Sequence, residues 1–389
     1  MSAAAVIFWG SLLALGYVFA GYPLLVWLLS RLAPARPRDG RRPETVSVLI
    51  AAGNEAARLP AKIDSLLACE ESGRITEVVV GSDGSTDGTA AVVGAHPDPR
   101  VRCIAFGESR GKSAVLADLI PTLTGEAVIL TDARQHVGPE AVTALLDRLA
   151  DPGVGVVSGE LVFVDESGSA AAEGVSAYWR YEKFLRKCEA NFRGVPGATG
   201  ALYAVRRDVL RPPPADALLD DVAIPLLAVE QGVRCVFEPR AVAYDRPTRS
   251  AGQESVRKRR TIAGVVQLLM QHPRWLLPRL LSRRGCRIWW ELMSHKVARL
   301  LAPAMLVACA ASNAALVSRH GWASFYGLSM AGHIAFYALA AAGAAGLRPR
   351  GAAGKLLSVP MMFVSLNATT VLALWDAARG RYRAAWKRV

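Results

Sequence analysis

The sequence predicts a doubly wound α/β domain tethered to a membrane, and three observations predict it. Short β-branched runs alternate with helix-length segments from residue 46 onward. Several of those runs end in turns carrying glycines and acids, where side chains leave a parallel sheet and can meet a ligand. Long apolar segments without a single charge flank this body on both sides.

In chain order, residues 1–30 contain no Asp, Glu, Lys or Arg, and about 20 apolar residues suffice to cross a bilayer core. The segment has no basic amino-terminal region and no small-residue cleavage site, so it reads as a retained span, with Trp9, Tyr17, Tyr22 and Trp27 as interfacial anchors. A Pro/Arg linker follows over 33–43. Strands are expected at 46–51, 76–80, 101–105 and 127–130, with helices at 56–67, 86–94, 113–123 and 139–149 between them. The second half mixes strands at 154–164 and 233–237 with helices at 173–187 and 221–231, interrupted by Arg211–Pro214. Within 254–296, the stretches 276–281 and 288–293 read as amphipathic helices lying on the membrane face. Uncharged segments at 300–318, 320–347 and 356–375 complete the membrane part. The last holds Pro360, Asn367, Thr369 and Thr370 and is the weakest, leaving three or four crossings. The expected plan is a membrane helix (1–32), linker (33–43), soluble domain (44–253), interfacial helices (254–296), membrane helices (297–376) and a basic tail (377–389).

Charge decides the side. The net charge of +13 is concentrated beside the apolar segments, in 31–42, 246–299, 348–355 and 376–389, while 43–245 is net acidic. That is the pattern of cytoplasmic, lipid-facing loops and excludes a DNA-binding stripe. The body is therefore expected in the cytoplasm of a multi-pass inner-membrane protein, with the amino terminus outside. With four crossings the basic tail would lie outside, against its charge. Six scattered cysteines show no Cys-x-x-Cys pair and read as reduced thiols, not metal ligands.

The chemistry-bearing residues cluster at strand ends. The first strand leads to Glu55, the second to Asp83 and Asp87, and the fourth to Asp132. A base or ribose needs acceptors for its N–H and O–H groups, and a diphosphate needs a divalent cation held by carboxylate. Asp87 reads as a turn or capping acid. Gly107 to Ser113 approaches a phosphate-binding loop but lacks one residue between its glycines, and no β-rich strand leads cleanly into it. Lys112 there is either a surface lysine or a contact to a diphosphate or base. Asp220 and Asp221 precede an apolar helix, where one could cap it and Asp221 could act as a general base. The small residues Gly197 to Gly200, with Thr199, would let a sugar approach the backbone. Arg257 to Arg260 is either an interfacial basic run or charge for a leaving diphosphate.

Taken in order, these motifs resemble a membrane-embedded family 2 glycosyltransferase with a GT-A fold, a Rossmann-like mixed sheet with helices on both faces. The relatives in question are cellulose, hyaluronan and poly-N-acetylglucosamine synthases. The resemblance covers roughly 45–275 in detail. It implies an inverting hexosyltransferase using a nucleotide diphosphate sugar, UDP-linked by expectation, with Mg²⁺ or Mn²⁺. It places Glu55 and Asp83 at the nucleoside, Lys112 near the nucleotide, and Asp132 as first acid of the Asp-x-Asp metal motif. Gly197, Thr199 and Gly200 fall on the acceptor side, Asp221 with Asp220 on the base motif, and Arg257 and Arg260 on Gln-x-x-Arg-Trp. Arg134 replaces the second acid of Asp-x-Asp, so metal binding rests on Asp132 and phosphate oxygens or is weaker. Arg257 replaces the Gln, and Thr261 replaces the Trp that helps hold a growing polymer, which weakens a polymer clamp and leaves Arg260 for the diphosphate. The expected function is sugar transfer to a glycan or lipid-linked hydroxyl at the cytoplasmic membrane face, in polysaccharide biosynthesis. Single-sugar addition to a lipid-linked acceptor is the alternative, and a catalytically silent scaffold a minor one. Nucleic acid is not an expected partner, accessory export subunits stay open, and the lack of charge inside the long spans argues against a transporter.

Overall fold

The computed structural model describes residues 1–164, 170–246, 251–278, 288–347 and 352–380. Its strands are β1 (Val46–Ala52), β2 (Ile75–Asp83), β3 (Val101–Phe106), β4 (Ala127–Leu130), β5 (His136–Val137), β6 (Val154–Phe163), β7 (Tyr203–Arg206) and β8 (Arg234–Asp245). They form one sheet in the order β3-β2-β1-β4-β7-β6-β8-β5. β1 is buried along its whole length, as expected of a strand covered by helices on both faces. β1 to β4 are mutually parallel, and the register sets Ala52 beside Ser82 and Leu49 beside Leu130. The carboxyl ends of β1, β2 and β4 therefore open on one edge. β7 runs antiparallel between β4 and β6 and joins the two halves. β5 and β7 were not expected. At two and four residues they are too short to show a period, and tertiary pairing makes them.

The helices are α1 (Ala3–Leu32), α2 (Leu59–Leu67), α3 (Thr89–Gly94), α4 (Lys112–Leu119), α5 (Ala141–Leu149), α6 (Ala170–Phe192), α7 (Asp220–Val229), α8 (Ala251–Gln271), α9 (Trp289–His320), α10 (Phe325–Ala344) and α11 (Ala352–Ala378). By length and composition α1, α9, α10 and the 357–378 part of α11 suffice to cross a membrane. Residues 288–293, expected to form a separate surface helix, instead lead straight into α9. The long helix thus begins with Glu291, His295, Lys296 and Arg299, ahead of the uncharged segment expected at 300–318. Part of 276–281, residues 381–389 of the basic tail and Cys286 lie outside the described residues.

Side-chain contacts give the helix directions. Phe8 meets Phe325 and Tyr326 at one end of α1, while Tyr17 bonds Ser294 and Trp290 nearer the other. α9 therefore leaves the sheet domain and α10 returns. α11 then starts beside the end of α10, where Gly343 packs on Leu357 and Met361. Its last turn is ion-paired through Asp376 to Arg259 of α8. Both ends of α11 lie on the sheet-domain side.

Candidate active site

The donor edge is built from loops that hold each other. Asp83, at the end of β2, is only 2% exposed. It accepts hydrogen bonds from Ser109 Oγ (3.0 Å) and the amides of Arg110 (2.8 Å) and Gly111 (2.8 Å). Gly84 follows at φ +59°, and a Cβ there would lie 2.4 Å from the Ser109 amide, so only glycine allows the loops to meet. β3 runs directly into Gly107, so a strand does lead cleanly into this loop, against expectation, and α4 starts at Lys112. Asp87 accepts from Thr89 and from the Ala56 amide, the turn-holding role expected of it. Asn54 at φ 56° takes the Thr86 amide, which stitches the Glu55 loop to the Asp83 loop. Glu55 itself pairs with Arg58 at 2.7 Å, at the rim.

The centre of the site is a lysine among acids. Lys112 Nζ lies 2.7 Å from Asp132 Oδ1 and 3.0 Å from Asp220 Oδ2. Burial opposes its charge, but Asp132 and Asp220 outweigh that and raise its pKa. Asp221 does not cap α7, whose N-cap is Leu219 without a side-chain bond. Its Oδ2 instead accepts the Gly200 amide at 3.0 Å. Burial first, then Asp220, pushes Asp221 up to about 6 against the pull of Lys112. Gly200 is the joint, because its carbonyl also takes the Asp132 amide. A Cβ on Gly200 would sit 3.4 Å from Asp221, 3.4 Å from Lys112 and 3.5 Å from Asp132, so all three converge on one small space.

Sequence reasoning missed two supports of this cluster. Lys62 is 2% exposed and donates to Thr131 Oγ1 (2.6 Å), beneath the Asp132 turn. Burial lowers its pKa to about 7, against Asp132. It shares the buried face of α2 with Leu59, Ile63 and Leu66, and a lysine at that spacing was the available signal. Arg186 of α6 donates to Ser158 Oγ (2.6 Å), which also accepts the Thr199 amide (3.0 Å). Nothing local marked it.

On the far side, the Ala198 amide bonds the Asp221 carbonyl at 2.7 Å, so Gly197 to Gly200 wraps the base candidate with its own backbone. Of the basic run, Arg257 stands over the Trp179 ring at 5.8 Å, and exposed Arg260 reaches the Leu218 carbonyl at 3.4 Å. Arg260 is thus beside the Asp220–Asp221 turn but outside the central cluster. Thr261 bonds back to the Arg257 carbonyl.

Among the described residues no three His, Cys, Asp or Glu side chains are grouped to hold a metal. The donor set fits an ion that takes one carboxylate oxygen from Asp132 and the rest from a diphosphate and water. Arg134 does not obstruct it, because its guanidinium is paired with Asp245 at 2.7 Å.

Comparisons with known proteins bear on the family and the fold. The profile of the glycosyltransferase-like family 2 matches residues 43–264. An N-acetylglucosaminyltransferase of Mesorhizobium japonicum is 26% identical over 224 residues, 53% of this chain and 52% of that protein. The succinoglycan biosynthesis protein ExoO of Rhizobium meliloti is 34% identical over 123 residues, 32% of this chain and 35% of that one. The chain thus spans about half of the first relative and a third of the second. Among solved structures, the mannosyltransferase PcManGT of Pyrobaculum calidifontis, in complex with GDP-Man and Mn²⁺, superposes with a TM-score of 0.68 at 24% identity, over 95% of this chain and 99% of that one.

Proposed function

The chain is a membrane-embedded member of glycosyltransferase family 2 with a GT-A fold, and from that premise we propose an inverting transferase that moves a sugar from a nucleotide diphosphate sugar to a hydroxyl at the cytoplasmic membrane face. One observation carries the reading: Asp221 and the Lys112–Asp132 pair converge on the single space beside Gly200. A sugar whose diphosphate lies at Asp132 would there present its anomeric carbon to a hydroxyl held by Asp221.

Asp221 takes the hydroxyl proton. The oxygen forms its bond to the anomeric carbon from the face opposite the diphosphate, the carbon–oxygen bond to phosphate breaks, and configuration inverts. Its raised pKa suits a base that must release the proton again near neutrality. Lys112 and Arg260 supply positive charge to the departing diphosphate. Mg²⁺ or Mn²⁺ held by Asp132 would offset further charge on the same oxygens. The mannosyltransferase from P. calidifontis was solved with such an ion and GDP-Man, which supports a nucleotide-sugar donor and leaves the base open. Asp220 positions Lys112, while Glu55 and Asp83 frame the nucleoside pocket.

The relatives act in N-acetylglucosaminyl transfer and succinoglycan biosynthesis, which supports polysaccharide biosynthesis as the pathway. Single-sugar addition to a lipid-linked acceptor is favoured by one feature: Thr261 offers no ring at the place where a polymer clamp would be aromatic, and its hydroxyl is spent on Arg257. Membranes incubated with radiolabelled UDP-, GDP- and dTDP-sugars, with the product sized, decide between polymer and glycolipid. No incorporation from any donor in wild type would overturn the transferase reading.

A further inference from the structure

The Lys112 side chain is only 11% exposed, yet its ammonium lies between two carboxylates, with a third, Asp221, across the Gly200 space. Its position is not a loose side-chain choice. Lys112 opens α4 directly after Gly111, whose amide is bonded to buried Asp83 and whose φ of +95° sets the entry of the helix. The lysine stem is therefore aimed from a fixed backbone. The Asp132 oxygen it contacts belongs to the carboxylate that the donor's divalent ion needs. A metal–oxygen bond is about 2.1 Å, so an ion on that carboxylate would lie next to the ammonium with few intervening atoms. Like charges at such separation repel, and the burial of Lys112 and Asp220 reduces screening by water. Arg134, in place of a second acid, is tied to Asp245 and brings no compensating negative charge.

Resting on the transferase reading above, we propose that Lys112 holds the cation's place between Asp132 and Asp220, so that a divalent ion enters only as a chelate of the nucleotide diphosphate. The diphosphate brings the negative charge that lets ammonium and metal share Asp132. The true ligand is then the metal–diphosphate complex, and metal uptake is conditional on donor.

The test is retention of Mn²⁺ by the purified full chain in detergent, measured by ultrafiltration with no nucleotide, with UDP and with GDP, against nucleotide-only controls. Wild type should retain Mn²⁺ at least about tenfold more tightly with one of the nucleotides than without. Lys112→Met should gain nucleotide-independent Mn²⁺ binding of about that size. Lys112→Arg, which keeps the charge and the helix start, should stay nucleotide-dependent. Tight Mn²⁺ binding by wild type alone overturns the proposal whatever the variants do, and so does a folded Lys112→Met with no gain. If Lys112→Met does not fold, wild type and Lys112→Arg decide: both must refuse Mn²⁺ alone. Should neither nucleotide promote binding while Lys112→Met still gains it, the lysine's role stands and the nucleotide-sugar reading fails.

Discussion

The chain handles buried charge in two ways, at the donor edge of the sheet and at the joint between α6 and the membrane helices. At the edge, Asp83 and Asp221 are held by backbone amides, of Arg110 and Gly111 and of Gly200, while Asp132 and Asp220 share the single cation Lys112. At the joint, side chains satisfy one another. His295 lies 2.7 Å from Glu189 and 3.0 Å from Glu182, Arg299 pairs with Glu182, and Tyr22 donates to Glu189. Both helices that meet there carry a π-turn, Tyr17–Gly21 and Leu292–Val297, and Tyr17 and Ser294 bond across them. An amide-held carboxylate such as Asp221 keeps its charge available to a ligand, whereas one paired with His and Arg is spent. The edge is built for chemistry and the joint for attachment. Changes at the first should remove turnover at constant stability, and changes at the second the reverse.

The sharpest break of that comparison is Asp221→Asn. It should lower turnover by about 10²–10⁴-fold, the range of general-base catalysis, with nucleotide affinity nearly unchanged by calorimetry. Undiminished turnover would remove Asp221 from the base role. Wild type carries the same information in its pH profile. A base raised to about 6 must be ionised to act, so kcat/KM should hold above pH 6 and fall as pH drops through it. An acid limb near pH 4 instead would mean that burial and Asp220 do not control this group.

Next in size is the joint. Glu189→Ala leaves the Tyr22 hydroxyl and one His295 nitrogen without their carboxylate, and breaking such a buried pair costs about 3–5 kcal/mol. The melting temperature in detergent should drop while turnover per folded molecule stays. Glu182 adds a pH dependence. Burial alone would raise it, but Arg299 and His295 hold it well below the ordinary carboxylate value. Its contribution is therefore present above the unfolded value and lost as pH falls through the depressed one. A Glu189→Ala protein of normal stability and low kcat would invert the assignment of the two regions. Smaller again is Gly200→Ala. Its methyl fits at van der Waals distance but fills the converging space, so the donor KM should rise about tenfold with the fold intact.

The same contrast explains what could be read in the sequence. β1 to β4, their turns, and Asp83, Lys112, Asp132 and Asp221 announce themselves through runs of β-branched residues and local acid–glycine patterns. Their consequences are local as well, since Asp83 finds its partners on the very next strand–helix loop. The joint was invisible because Tyr22, Glu182, Glu189, His295 and Arg299 come from three distant segments, and no spacing encodes their meeting. Arg186 and Ser158 were missed for that reason. The start of α9 was misread because residues 288–293 are amphipathic by pattern, and only packing on α6 makes them continuous with a long apolar helix. Arg134 shows a third case. Its departure from an acid was plain, but its partner Asp245 sits at the end of β8, far along the chain.

The smallest expected effect addresses the helix that belongs to neither region cleanly. The Arg259–Asp376 pair ties the end of α11 to α8, with Arg259 34% exposed and Asp376 13%. Solvent at the Arg259 side screens the pair and limits it to about 1 kcal/mol, so Arg259→Ala should scarcely alter stability or turnover. Its value lies in geography. If α11 lies along the domain with both ends on one face, the protein crosses the membrane three times and its basic tail shares the side of the catalytic domain, as its charge requires. Arg379→Cys should then react with a membrane-impermeant maleimide in inverted vesicles and stay unlabelled in intact spheroplasts. Labelling of the intact cells would make α11 a true crossing and sever its end from α8. The Arg259→Ala variant should keep the inside labelling, because packing against α10, with Phe363 on Phe336 and Met361 on Gly343, holds α11 in place without that ion pair.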